Sequence, residues 1–279
     1  MIKRAILGCL CVIGFIFFVV YLFRAGEMGI SSPTRDYLAH KQAREAATLT
    51  RYKLDLVDPN EAPNGIRHYA RQGYLVLIDT QTYAKQYIGD GLNCTNCHFS
   101  GGDTTGGVQG SISLVGVAAK YPSYEDRAKR VLDLPARINN CFMRSMNGTA
   151  LPLDSELMLS VVTYLHWISK DVPIYAPIPW LGLKPLSVQS KGDAEQGKRV
   201  YHTYCALCHR DDGQGGENNP PLWGEHSFND AAGFNRPETL AAFIYWNMPY
   251  DDATPVLTEK QALDVAAYIL SHSRPKDTN

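Results

Sequence analysis

Two five-residue stretches carry the most direct chemistry. In Cys94-Thr95-Asn96-Cys97-His98, and again in Cys205-Ala206-Leu207-Cys208-His209, two thiols lie one helical turn apart and an imidazole follows at once. Thiols at that spacing reach the two vinyl groups of a heme as thioethers, and the adjacent histidine then sits under the iron. A zinc site would need a second ligand pair at matching spacing, and neither motif is followed by one. A redox dithiol of the thioredoxin kind would sit in a βαβ pattern, which the chain lacks. The motifs therefore point to two covalently bound hemes c. Cys94, Cys97, Cys205 and Cys208 attach them, His98 and His209 ligate the irons, and the work is electron transfer.

The opposite face of each iron separates a carrier from an enzyme. In the second half Met248 is the only methionine after the motif, and it precedes Pro249. A thioether there stabilises ferrous iron and raises the potential. The first half offers Cys141, Met143 and Met146 in one stretch. A methionine would complete a plain two-heme carrier. A thiolate would lower the potential and put a sulfur nucleophile at the iron. Of the seven cysteines, four lie in the motifs and two, Cys9 and Cys11, in an apolar N-terminal run, which leaves Cys141 alone. Around it Arg127, Lys129, Arg130, Arg137 and Arg144 face one acid, Asp133. Such a cluster is either a solvated basic surface or a site for a divalent oxyanion, which guanidinium forks suit.

The elements that must position these residues are helices. Apolar spacing predicts helices over Ile66–Asp79, Asp154–Lys170, Ala194–Tyr204, Pro237–Tyr245 and Thr258–Ser273. Asp58 to Gly65 reads as a turn-rich break, and Gly101 to Gly110 as a loop that lacks the lysine of a phosphate-binding loop. Pro173, Pro177, Pro179 and Pro185 make 171–190 an extended linker. Each half then runs helix, heme motif, irregular loop, candidate ligand, terminal helix. Leu159, Val161 and Tyr164 align with Leu263, Val265 and Tyr268. The order resembles that of small class I c-type cytochrome domains. The expected fold is all-α: two cytochrome c-like heme domains in tandem, 66–170 and 191–279, joined by the Pro-rich linker.

At the N-terminus, Lys3 and Arg4 precede an uncharged run from Ala5 to Phe23, and Arg24 closes it. At helical rise that run spans ~29 Å, about the hydrocarbon thickness of a bilayer. Segment 1–24 reads as an uncleaved membrane anchor in preference to a cleaved signal, and 25–65 as a helical extension, with a helix over Thr34–Asp55. Either reading exports the remainder, because the basic flank stays inside. The expected location is the periplasmic side of the inner membrane. With 45% hydrophobic and 20% charged residues the chain can form an ordinary core, and its net charge of −1 supplies no field for nucleic acid.

The stretch Arg137-Ile138-Asn139-Asn140-Cys141-Phe142-Met143-Arg144-Ser145-Met146-Asn147-Gly148 resembles the active-site segment of TsdA-type diheme thiosulfate dehydrogenases. So does Tyr83 to Asn93, leading into the first motif, and the similarity runs from about Ile66 to the end. The resemblance implies that two thiosulfate dianions are joined to tetrathionate, or the reverse, with electrons passed to another cytochrome c or an oxidase. It implies Cys141 as the second ligand of the first heme and the catalytic sulfur, with Arg127, Arg137 and Ser145 holding substrate. It implies Met248 as the second ligand of the other heme. Asn247 stands where some members carry a lysine that exchanges with that methionine. Two rival readings remain at this level. One is a membrane-tethered diheme carrier. The other is a thiosulfate-transferring cytochrome of the sulfur-oxidation system.

Overall fold

The computed structural model describes residues 57–104, 106, 111–216, 219–250 and 256–278, which fall in one compact unit, Lys53–Asn279. The expected anchor at 5–23 and the expected helix at 34–55 lie outside the described residues. Among the described residues no helix is long and apolar enough to cross a membrane.

Helix α1 (Asn64–Ile78) follows Pro63 and buries Ala70, Gly73, Val76 and Leu77, one face at helical spacing. After the first motif come two short antiparallel strands, β1 (Ser123–Glu125) and β2 (Arg130–Leu132), with Tyr124 opposite Val131. The all-α expectation did not include this hairpin. Strands of three residues are too short for alternation to register, and the turn uses Lys129 at φ 51° where a glycine would have flagged it. Helix α2 (Leu134–Asn140) starts where Asp133 accepts the Ala136 N–H at 2.8 Å. It runs directly into a single π-helical turn, Cys141–Ser145, closed by the Met146 N–H on the Cys141 carbonyl. Helix α3 (Glu156–Trp167) is capped by Ser155.

The second half repeats the plan. Asp193 caps helix α4 (Ala194–Tyr204), which leads into the single turn Ala206–His209. Helix α5 (Pro237–Asn247) has proline in its first turn, and α6 (Glu259–Leu270) begins at a reciprocal Thr258–Gln261 capping box. Segment 171–190 has no helix and lies along both halves. Its Tyr175 N–H donates to Ala119, Trp180 Nε1 to Val115, and Val188 N–H to Glu259.

Each half rests on one close helix crossing made at a glycine. A Cβ on Gly73 would lie 2.1 Å from the Ser160 carbonyl and 2.6 Å from the Tyr164 Cβ. A Cβ on Gly197 would lie 1.9 Å from the Asp264 carbonyl and 2.9 Å from the Tyr268 Cβ. The repeat read in the sequence sets Ser160 opposite Asp264 and Tyr164 opposite Tyr268, so both crossings use the same positions. Backbone carbonyls cannot swing aside. Gly73→Ala and Gly197→Ala are each expected to cost roughly 1–3 kcal/mol or more in denaturant unfolding of the holoprotein. Gly65→Ala, with nothing within 4 Å of the added carbon, is the control and should change stability by no more than about 1 kcal/mol.

Val76, Leu132, Phe142, Met158 and Tyr164 belong to the first core, and Tyr201, Trp223, Leu240, Val265 and Ile269 to the second. A third cluster, Leu92, Met146, Phe228 and Ala232, joins the halves. Met146, one of the three sequence candidates for an iron ligand, has its side chain in that apolar seam.

Candidate active site

The first motif is fixed from both ends. Thr80 Oγ1 accepts the Cys94 N–H at 3.0 Å and donates to Cys94 Sγ at 3.3 Å. His98 Nδ1 lies 2.7 Å from the Ile112 carbonyl. A carbonyl can only accept, so Nδ1 carries the proton and Nε2 is the free ligand nitrogen. Burial pushes His98 down to about 4, against the pull of that hydrogen bond, and keeps it neutral, the form that binds metal. The second motif repeats the device. His209 Nδ1 donates to the Pro220 carbonyl at 3.0 Å, and burial lowers its pKa as well. Burial also pushes the thiols of Cys94, Cys97 and Cys205 up to about 12. Paired sulfurs one turn apart beside a neutral imidazole with a free Nε2 fit a thioether-bound heme at each motif.

Cys141 opens the π turn at the end of α2, one turn after Arg137. Arg137 Nη1 donates to Cys141 Sγ at 2.8 Å. The electrostatic pull of Cys141 is the largest cause of the raised pKa of Arg137. The same sulfur also raises Cys94 and Cys97, so it faces the first motif. Tyr121 donates to Glu125 Oε1 at 3.0 Å, and both groups act on Arg137. The segment before the motif lies along the segment after the π turn. Gly89 N–H donates to Met146 and Thr149 N–H to Tyr87, which sets Cys141 against the motif.

Arg127 sits in the β1–β2 turn, and its Nη2 donates to the Ala231 carbonyl of the second half at 2.6 Å. Burial lowers its pKa, and so do the neighbouring charges of Arg144, Arg236 and Arg137. Four guanidinium groups therefore share one region, a concentration of positive charge that favours an anion. Ser145 closes the π turn in the same stretch. Lys129 instead faces Asp126 at the surface, 4.0 Å away, and Arg130 is exposed on β2. The Met143 carbonyl accepts from Asn229 Nδ2 at 3.1 Å. Met248 follows the last residue of α5 and packs against the second core. The sequence reading missed Arg236, Glu125 and the π turn. Arg236 comes from the other half, and no spacing rule connects it to Cys141.

Asp90 is a further buried acid near the first motif, 7% exposed, with Oδ1 accepting the Leu92 N–H at 3.0 Å and Oδ2 without a partner. Burial raises its pKa from 3.8 to about 7. The neutral acid is thus favoured on folding. Its contribution is fully present below the unfolded value and is lost as pH rises through the folded one. Asp90→Asn keeps the acceptor for Leu92. It should match the wild type at about pH 4 and exceed it above about pH 7, by roughly 4 kcal/mol at most. Denaturant unfolding of the holoproteins at the two pH values measures this, and a gain independent of pH would show that Asp90 is not the buried neutral acid.

Two family models match the chain: the SoxA/TsdA cytochrome c domain over residues 80–174, and cytochrome c over residues 194–273. The thiosulfate dehydrogenase of Stutzerimonas stutzeri is 38% identical over 77% of this chain and 70% of its own length. The chain belongs to the thiosulfate dehydrogenase family. The enzyme of the same name from Allochromatium vinosum is 36% identical over 73% of this chain and 77% of its own. Among solved structures, thiosulfate dehydrogenase (TsdBA) from Marichromatium purpuratum superposes with a TM-score of 0.73 at 29% identity. That match covers 80% of this chain, which spans half of that longer protein. Membership fixes the plan as two tandem cytochrome c domains carrying two covalently bound hemes.

Proposed function

We propose that this chain joins two thiosulfate dianions into tetrathionate and hands the two electrons to an external acceptor. The observation that carries this reading is the 2.8 Å hydrogen bond from Arg137 to the Cys141 sulfur, inside a cluster of guanidinium groups. The relatives named thiosulfate dehydrogenase support the choice of anion.

Cys94 and Cys97 would hold the first heme, with His98 and Cys141 on its iron. Cys205 and Cys208 would hold the second, with His209 and Met248. When bound, the hemes supply one-electron acceptors for the two electrons released. Arg127 and Arg137 hold the dianions against their mutual repulsion with fixed charges and forked donors. Ser145 offers a hydroxyl from the same turn. The Cys141 thiolate bonds to the sulfane sulfur of one thiosulfate, giving Cys-S-S-SO₃⁻ and two electrons. A second thiosulfate attacks that sulfane sulfur, forms the central S–S bond of tetrathionate and expels the Cys141 thiolate. Run backwards, the same steps reduce tetrathionate.

The heme domains of this reading are 66–170, where the sulfur chemistry happens, and 191–279, the relay. The apolar run 5–23 remains as a membrane anchor and sets both on the periplasmic side of the inner membrane. There another cytochrome c or an oxidase takes the electrons. One assay of the purified holoprotein tests the chemistry: thiosulfate with ferricyanide, and tetrathionate with a reduced viologen. Tetrathionate formed by this protein alone supports the reading. Transfer of thiosulfate only onto an added carrier protein, or no turnover in either direction with both hemes attached, would overturn it.

A further inference from the structure

One buried side chain that the sulfur chemistry does not use joins the two halves. Asn247, the last residue of α5, is 1% exposed. Its Oδ1 accepts the backbone N–H of Ser111, in the first half, at 2.8 Å. Its Nδ2 donates to the Phe243 carbonyl one turn back at 3.0 Å, which fixes the orientation of the amide. Ser111 is fully buried and holds φ 50°, a region that residues other than glycine seldom adopt. Its Oγ accepts the N–H of Phe99 at 2.7 Å, and the next carbonyl, that of Ile112, accepts from His98 Nδ1 at 2.7 Å. The Phe99 ring meets Phe243 and Tyr250 edge-on, with centroids 5.9 and 5.3 Å apart. The Ser111–Ile112 pair thus grips His98 and Phe99 on one side and Asn247 on the other. Asn247 is covalently followed by Met248.

We infer that Asn247 is a positioning residue that ties the His98 segment of the first domain to the Met248 segment of the second, and that electrons exchange between the two hemes at full rate only with this tie in place. The inference rests on the reading of His98 and Met248 as iron ligands. Groups that hold metal ligands from behind fix their orientation and the electronic contact they make. Here one amide bonds the segment that holds His98 and directly precedes Met248, the residues that would hold the two irons. The strained Ser111 backbone gives its N–H to Asn247, its Oγ holds Phe99 and the next carbonyl holds His98, so losing Asn247 releases a segment that also bears the bond to His98.

The test compares holoprotein variants. Asn247→Leu matches the size but cannot accept a hydrogen bond, whereas Asn247→Asp retains the acceptor. After rapid photoreduction, the time for an electron to equilibrate between the hemes is read from their separate absorptions. Asn247→Leu should slow it roughly ten-fold or more, and Asn247→Asp should recover most of the rate. Hydrogen exchange at the Ser111 N–H should accelerate in the leucine variant only. An unchanged rate in Asn247→Leu overturns the inference. So does equal slowing in both variants with Ser111 still protected, because the side chain would then serve only the Met248 loop. If the leucine variant fails to accumulate with both hemes, Asn247→Ala makes the same comparison. Failure of the ligand reading would show separately, as a wild-type spectrum without the thioether-to-iron band.

Discussion

Replacing Cys141 with serine is expected to leave both hemes attached and to remove thiosulfate-dependent turnover by on the order of 10³-fold or more. Serine keeps an acceptor for Arg137, whose Nη1 lies 2.8 Å from the wild-type sulfur. It also removes the thiolate proposed on the first iron, at a half-buried position that opens the π turn, so the heme spectrum is recorded with the kinetics. What it removes is the ability to form a bond to sulfane sulfur without breaking the turn. The two-step route then collapses to a direct meeting of two dianions. Steady-state kinetics with ferricyanide, alongside a count of heme per chain, measures the effect. A serine variant with both hemes and a rate within about ten-fold of the wild type would sink the Cys141 adduct as an intermediate.

The second large effect is expected at Arg137. Arg137→Gln retains a donor but removes the charge, and kcat/KM for thiosulfate should fall by about 10²–10³-fold. Arg137→Lys should recover only part of this, because an ammonium is a point charge without the planar fork. The wild-type rate should also fall as salt rises, since Arg127, Arg144 and Arg236 add to the local field, and Arg236→Gln should flatten that dependence. A glutamine variant within two-fold of the wild type would mean that the sulfur chemistry does not need the cation beside it.

The residues of the site were legible where chemistry is local. Each Cys-x-x-Cys-His motif declares itself within five residues, and Arg137 and Cys141 lie four positions apart in the stretch that carries the family resemblance, although the helix α2 that joins them was not among the expected ones. The helix pairs were legible too, because α1, α3, α4 and α6 present apolar faces at regular spacing. What the sequence did not disclose depends on contacts between distant segments. Glu125 reaches Arg137 only through a hairpin too short to show alternation, and Arg236 reaches Arg127 only because the halves mate. The π turn at Cys141 has no residue signature, since it inserts one position into an ordinary helical run. Gly73 and Gly197 drew no attention in the sequence. Their role is visible only once the carbonyls of Ser160 and Asp264 lie against them.

Four of the bonds that mate the halves share a property with consequences for mutational drift. Arg127 donates to the backbone carbonyl of Ala231, Asn229 to that of Met143, and Asn247 accepts from the backbone of Ser111, while Gly91 and His226 meet backbone to backbone. At each of these joints at least one partner is a peptide group, which a point mutation to any residue but proline leaves in place. Alleles can therefore exchange Ala231, Met143 or His226 without losing the docking geometry. A chimaera built from the halves of two divergent relatives should preserve Arg127, Asn229, Asn247, the Phe99 ring contacts and the apolar seam to bring its parts together in the same way.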